Sequence, residues 1–178
     1  MKKGQQLEKL LTDSCDRQGI LCQRLKDTIA LQAKNCNPSD FILFDGTTML
    51  YLESKDALDR LPLKNLRQIP EMQKLPKVNN LEKAFLIRLT KRSTGQRITR
   101  YIPLRDLLAL IKEVQLRGRK SLNFTDLEPY QTVRAYRPKN ARLDRYDISQ
   151  MMMVARVRSV PAAKRSIEPL NSSLLAAM

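Results

Sequence analysis

The chain has 178 residues, 33 lysines and arginines against 18 acids, and a net charge of +15. This length suits one domain with a real core. The absence of histidine excludes Ser-His and Cys-His nucleophilic catalysis, and the three cysteines include no CxxC pair, which argues against a zinc site. The excess of base points to a polyanion, nucleic acid first, although ribosome-associated and membrane-surface proteins carry similar charge. Cys15, Cys22 and Cys36 are expected to be reduced, mostly buried thiols. No apolar run is long enough to span a membrane. The first residues hold lysines but no apolar signal core, so a cytoplasmic chain is expected.

Lys3 to Arg17 reads as a helix, with Leu7, Leu10, Leu11 and Ser14 at helical spacing and Gly19 as the cap beyond its end. Ile20 to Leu25 suits a first strand, and Lys26 to Asn37 a loop. Asp40 to Phe44 is a compact apolar strand. Asp45-Gly46 is a hairpin turn, and Thr48 to Lys55 is the returning strand. Alternation along that strand places Met49, Tyr51, Glu53 and Lys55 on one face and Leu50, Leu52 and Ser54 on the other. Pro62, Pro70 and Pro76 break up the next stretch, with room for a short helix between Leu63 and Gln73. Ala84 to Thr90 and Gln96 to Ile102 read as strands around Thr94-Gly95. Pro103 suits the first turn of a helix carrying Leu104, Leu107, Leu108, Ile111 and Val114 and stopping near Gly118. The order predicts an α/β domain with a mixed central sheet flanked by helices, over residues 1–147. Residues 148–178 read as a flexible or partner-docking tail.

Asp40, Glu53 and Lys55 carry the chemistry. A hairpin around Asp45-Gly46 brings the start of one strand beside the end of the other, so Asp40 meets Glu53 and Lys55. Two carboxylates suit Mg²⁺, and an adjacent lysine can hold an attacking water or stabilise charge on a phosphate; phosphodiester cleavage uses this set. Strand ends often carry solvated Asp, Glu and Lys, but here both faces of the strand are apolar, where unpaired charge is expensive. Glu8 borders the apolar stripe of the first helix. It suits either an acid favoured by the helix dipole or a third carboxylate leaning over the sheet, and the residues alone leave both open.

Gly4-x-x-x-Glu8, Ser39-Asp40-Phe41, the hairpin and Glu53-Ser-Lys55 resemble the RecU Holliday-junction resolvases, nucleases of the PD-(D/E)xK superfamily. Leu61-Pro-Leu-Lys-Asn-Leu66, Phe85-Leu-Ile87, Tyr101-Ile-Pro-Leu104, Gly118-Arg-Lys-Ser-Leu122 and Arg142-Leu-Asp144 extend the resemblance in the same order. It implies a restriction-endonuclease-like core, a homodimer with two sites, four-way DNA junctions cut by paired nicks, and Mg²⁺ or Mn²⁺. Asp40, Glu53 and Glu8 would be metal ligands and Lys55 the catalytic lysine. The chain departs from the family in two places. The family's glutamine falls nearest Pro70, with Gln68 and Gln73 as substitutes, and the basic stalk before the metal-binding Asp is shorter over Leu21 to Pro38. The basic residues expected to meet DNA near the acids are Lys3, Arg24, Lys26, Lys64, Arg67, Arg119 and Lys120. Two alternatives remain: a nuclease of this type acting on other branched or nicked DNA, and a non-catalytic nucleic-acid-binding module with the same fold.

Overall fold

The computed structural model describes residues 3–25, 37–136 and 145–159. Helix α1 spans Lys3–Arg17, as its periodicity predicts. It stops where Gly19 takes φ +65°, a conformation glycine enters without steric penalty, and the N–H groups of Gln18 and Ile20 both donate to the Cys15 carbonyl. Strands β1 (Leu21–Arg24), β2 (Phe41–Phe44) and β3 (Met49–Leu58) form an antiparallel run. The β2–β3 hairpin turns at Asp45-Gly46. Asp45 Oδ1 accepts from the N–H groups of Thr47 (3.0 Å) and Thr48 (2.8 Å), and Gly46 supplies φ +92°.

Strand β4 (Leu61–Pro62), a 3-10 turn at Leu63–Asn65 and helix α2 (Ile69–Lys74) lead over to β5 (Leu81–Thr90). β5 runs parallel to β3 along its whole length, from Met49↔Leu81 to Leu58↔Thr90. β3 is therefore longer than the segment predicted from the sequence, because a parallel neighbour bonds its last three residues. β6 (Arg97–Pro103) returns beside β5 and leads into α3 (Leu104–Leu116). β7 (Ser121–Leu122) pairs with β4, and α4 (Phe124–Leu127) precedes β8 (Gln131–Thr132), which closes the far edge of the sheet. β9 (Ala135–Tyr136) and β10 (Arg145–Tyr146) form a small ribbon before α5 (Ile148–Ser159). The main sheet has the order β1-β2-β3-β5-β6-β8, a mixed sheet flanked by helices, as expected of the α/β class.

Two cores lie on opposite faces of this sheet. Leu7 and Leu11 of α1 and Met151 and Met152 of α5 pack with Leu50, Leu52, Ala84 and Leu86. Leu107, Leu110 and Val114 of α3 pack with Phe85, Ile87, Leu89 and Ile102. Cys15 is buried and Cys22 half-buried, both as free thiols. The loop expected over Lys26 to Asn37 lies almost wholly outside the described residues, as do Cys36, Lys26 and Arg142-Leu-Asp144.

The boundary drawn at residue 147 needs correction. Residues 148–159 are not a tail but helix α5, with Ile148, Met151, Met152 and Ala155 all buried. These positions recur at the spacing of one helix face. The stripe is obscured in the sequence because Met153 and Val157, both exposed, make the segment apolar on its other side too. The remaining residues, 160–178, lie outside the described ones. Met151→Ala should therefore lower unfolding stability in urea by about 2–5 kcal/mol, as core truncations do, whereas Met153→Ala should stay within about 0.5 kcal/mol of wild type. Equal, small effects would return α5 to the status of a loosely attached tail.

Candidate active site

β2 and β3 bring the predicted acids together. The antiparallel register pairs Phe41 with Leu52, and one further step places Asp40 opposite Glu53. Asp40 Oδ2 accepts from the backbone N–H of Ser54 (2.9 Å) and from its hydroxyl (2.8 Å), and the Asp40 carbonyl accepts from the Leu25 N–H (2.8 Å). Asp40 is thus tied to strands on both sides. Glu53 is 1% exposed. Its Oε1 accepts from Lys55 Nζ at 2.5 Å, and Lys55 keeps 18% of its side chain in contact with solvent. Glu53 Oε2 is buried and has no hydrogen-bond partner.

Burial, and then the charge of Asp40, push the Glu53 carboxyl up from an ordinary 4.5 to about 8, against the opposing pull of Lys55. Such a group holds its proton at neutral pH unless more positive charge arrives. An orphaned carboxylate oxygen beside a second carboxylate is a donor set that a hard divalent cation fits. Among the described residues no group of three or more His, Cys, Asp or Glu side chains converges on one point. The chain's own offer is therefore two carboxylates, a number with which Mg²⁺ is commonly held when water and phosphate oxygens complete its shell.

Glu8 is placed differently. It lies on α1, on the side of the sheet that Leu50 and Leu52 face, whereas Glu53 and Lys55 are out of phase with those leucines and turn to the other face. Its carboxylate is ion-paired with Arg24 of β1, which joins two of the predicted site residues to each other. Gln68 is half-buried at the start of α2 with its Oε1 unpartnered, while Gln73 is exposed.

The predicted DNA-facing residues divide. Lys64, Arg67 and Lys120 are exposed. Lys64 and Lys120 belong to one short ribbon, because β4 pairs with β7 and the Leu63 N–H donates to the Lys120 carbonyl. Arg119 is engaged: both Nη atoms donate to Asp126 (2.9 and 2.6 Å), whose Oδ2 also accepts from the Asn123 N–H in a capping box at the start of α4. This arginine fastens a turn to a short helix. The Lys3 side chain and Lys26 lie outside the described residues.

One pair escaped sequence reasoning. Asp56 and Arg88 form a 2.5 Å ion pair with side chains only 6% and 4% exposed. They are register partners on β3 and β5, directly behind the site. Burial alone would lower the Arg88 pKa, but Asp56 outweighs it and the guanidinium stays charged. The available signal was an arginine inside the otherwise apolar strand Ala84 to Thr90. These are positioning residues that hold the C-terminal half of β3 against β5.

No family model matches the chain, and no curated protein matches it. Among solved structures, it is similar to Archaeoglobus fulgidus Hjc, a Holliday junction resolvase from an archaeal hyperthermophile, at 13% identity. The similarity covers 72% of this chain and 95% of that one, with a TM-score of 0.43.

The state of Glu53 has a measurable consequence. A carboxyl whose pKa is higher folded than unfolded binds its proton more tightly in the fold, so stability falls as pH rises between the two values. Glu53→Gln removes that loss. With EDTA present, its melting temperature should match wild type near pH 4.5 and exceed it progressively up to about pH 8. A difference that does not change with pH would show that Glu53 is ionised in the fold throughout.

Proposed function

We propose that this chain is a metal-dependent DNA endonuclease of the PD-(D/E)xK type acting on branched DNA, with the four-way junction as its substrate. The observation that carries the reading is buried Glu53 beside half-buried Asp40, with Lys55 Nζ on Glu53, in a chain of net charge +15. Asp40 and Glu53 would hold Mg²⁺ or Mn²⁺. When bound, the ion supplies Lewis acidity at the phosphate and a bound water of lowered pKa.

The chain's own residues do the rest. Ser54 and the Leu25–Asp40 bond fix Asp40 in place. Lys55, held on Glu53 Oε1 and partly open to solvent, would be placed to orient the attacking water and to stabilise negative charge building on the phosphate. Exposed Lys64, Arg67 and Lys120 supply phosphate contacts that carry affinity without reading sequence. Paired nicks need two sites and each chain carries one, so resolution requires two copies, in keeping with the homodimer that the RecU resemblance implies.

A synthetic four-way junction, a fork and a linear duplex, each assayed with Mg²⁺ and with EDTA, test the reading. Junction cleavage should need the metal and exceed cleavage of linear duplex. Asp40→Asn and Glu53→Gln should abolish it while leaving junction binding nearly intact. Lys55→Ala should slow turnover by about a hundredfold or more, the scale of losing one transition-state contact, with little change in affinity. Metal-dependent cleavage by the Asp40 or Glu53 variant would sink the assignment, and a Lys55 variant with normal turnover but weak binding would make that lysine a phosphate contact only. Equal cutting of fork and junction would favour the broader branched-DNA reading.

A further inference from the structure

A second basic feature lies away from these acids. Where β6 meets β8, a cleft of about 600 Å³ opens, lined by Arg97, Arg100 and Arg134 with Thr99 and Thr132 between them. No carboxylate lines it among the described residues. Arg97 and Arg134 are exposed, and among the described residues neither makes an ion pair. Arg100 is turned the other way: it is in phase with Ile98 and Ile102 of the α3-side core, and its Nε donates to the Leu127 carbonyl at 3.2 Å. The ladder sets the geometry: Arg100 pairs with Thr132, and the Val133 N–H donates to the Thr99 carbonyl, which holds the segment leading to Arg134 beside β6. Leu10 of α1 and Tyr146 of β10 also line the cleft, so it opens on the α1 side of the sheet.

Its place relative to the candidate active site matters. Lys55, Ile87, Arg100 and Thr132 form one lateral row across β3, β5, β6 and β8. At about 4.8 Å per strand, the cleft strands lie roughly 10–15 Å from β3. Asp40, Glu53 and Lys55 do not line the cleft; Glu53 and Lys55 face the opposite side of the sheet. A phosphate in the cleft is therefore not the scissile one.

We propose that this cleft binds the sugar–phosphate backbone of a second DNA arm. The exposed guanidiniums of Arg97 and Arg134, with no carboxylate in the described lining, attract phosphate oxygens, for which their planar forks suit bidentate contact. Thr99 and Thr132 share the lining with Leu10, Ile98 and Val133, and it holds no Asn or Gln among the described residues, so contact is with the backbone and not with bases. A protein that grips only the duplex being cut has no means of telling a branch from a linear molecule. Contact with a second arm, on the other side of the sheet, supplies one. This inference rests on the nuclease reading above and adds to it the surface that selects branched substrates.

The test is the double variant Arg97→Ala/Arg134→Ala, measured by equilibrium binding to a four-way junction and to a linear duplex over a range of salt, with EDTA to prevent cleavage. Both side chains are exposed and form no ion pair with the described residues, so the melting temperature should match wild type. Junction affinity should fall about tenfold and the slope of log K against log salt should flatten by about 1.8, for two phosphates released. Duplex affinity should change much less, so the preference for the junction shrinks. Unaltered junction affinity and slope in the variant would overturn the cleft assignment alone. Equal losses on junction and duplex would overturn its assignment to a second arm. A wild-type chain that binds neither DNA would overturn the nuclease reading together with this one.

Discussion

Strand β3 lies in the middle of the sheet, with cores on both faces, and still carries Glu53, Lys55 and Asp56. Charge in such a place is tolerated only when paired. The chain meets this demand in two ways. On the α1 side, Asp56 is neutralised by Arg88 across the parallel ladder. On the other side, Glu53 has a lysine on one oxygen, an aspartate as neighbour and a second oxygen without a partner. In the first arrangement the two charges cancel within the protein, although Arg88 Nε keeps no hydrogen-bond partner; in the second, two carboxylates share one lysine.

The same constraint orders the surroundings. The β2–β3 hairpin must hold its register for Asp40 to lie opposite Glu53, and a slip of one residue would turn Glu53 into the leucine core. Asp45 prevents the slip: it closes the turn with two backbone N–H groups and also accepts from Arg156 of α5 at 2.8 Å. Burial alone would raise the pKa of its carboxyl, but these hydrogen bonds outweigh burial and hold it down at about 2. Helix α5 thus helps α1 to bury Leu50 and Leu52 on one face of β3 and pins the turn that aligns the other.

Charge in a strongly basic chain divides by partner. Arg119 sits in a motif that suggested DNA contact, yet its guanidinium is committed to Asp126. Arg24 is committed to Glu8. Arg97 and Arg134, in no recognisable motif, face a cleft that holds no acid among its described residues. Whether a cation is available to a polyanion depends on which carboxylates the fold brings to it, and local sequence does not report that.

Much of the fold was legible because its signals are local. Helix α1, the Asp45-Gly46 hairpin, Pro103 ahead of α3 and the terminating role of Gly19 all arise from periodicity, turn chemistry and backbone restriction within a few residues. The juxtaposition of Asp40, Glu53 and Lys55 was legible for the same reason, since a tight hairpin makes neighbours of residues close in sequence. Three things were decided only by tertiary structure. The parallel pairing of β3 with β5 joins segments separated by a long crossover, and it lengthened β3 and brought Asp56 to Arg88. Helix α5 was hidden because an apolar segment takes its buried side from the surface it meets, and that surface comes from distant parts of the chain. The partners of Glu8, Arg24 and Arg119 were set by packing, since ion pairs depend on distances of a few ångströms that no spacing in the sequence specifies.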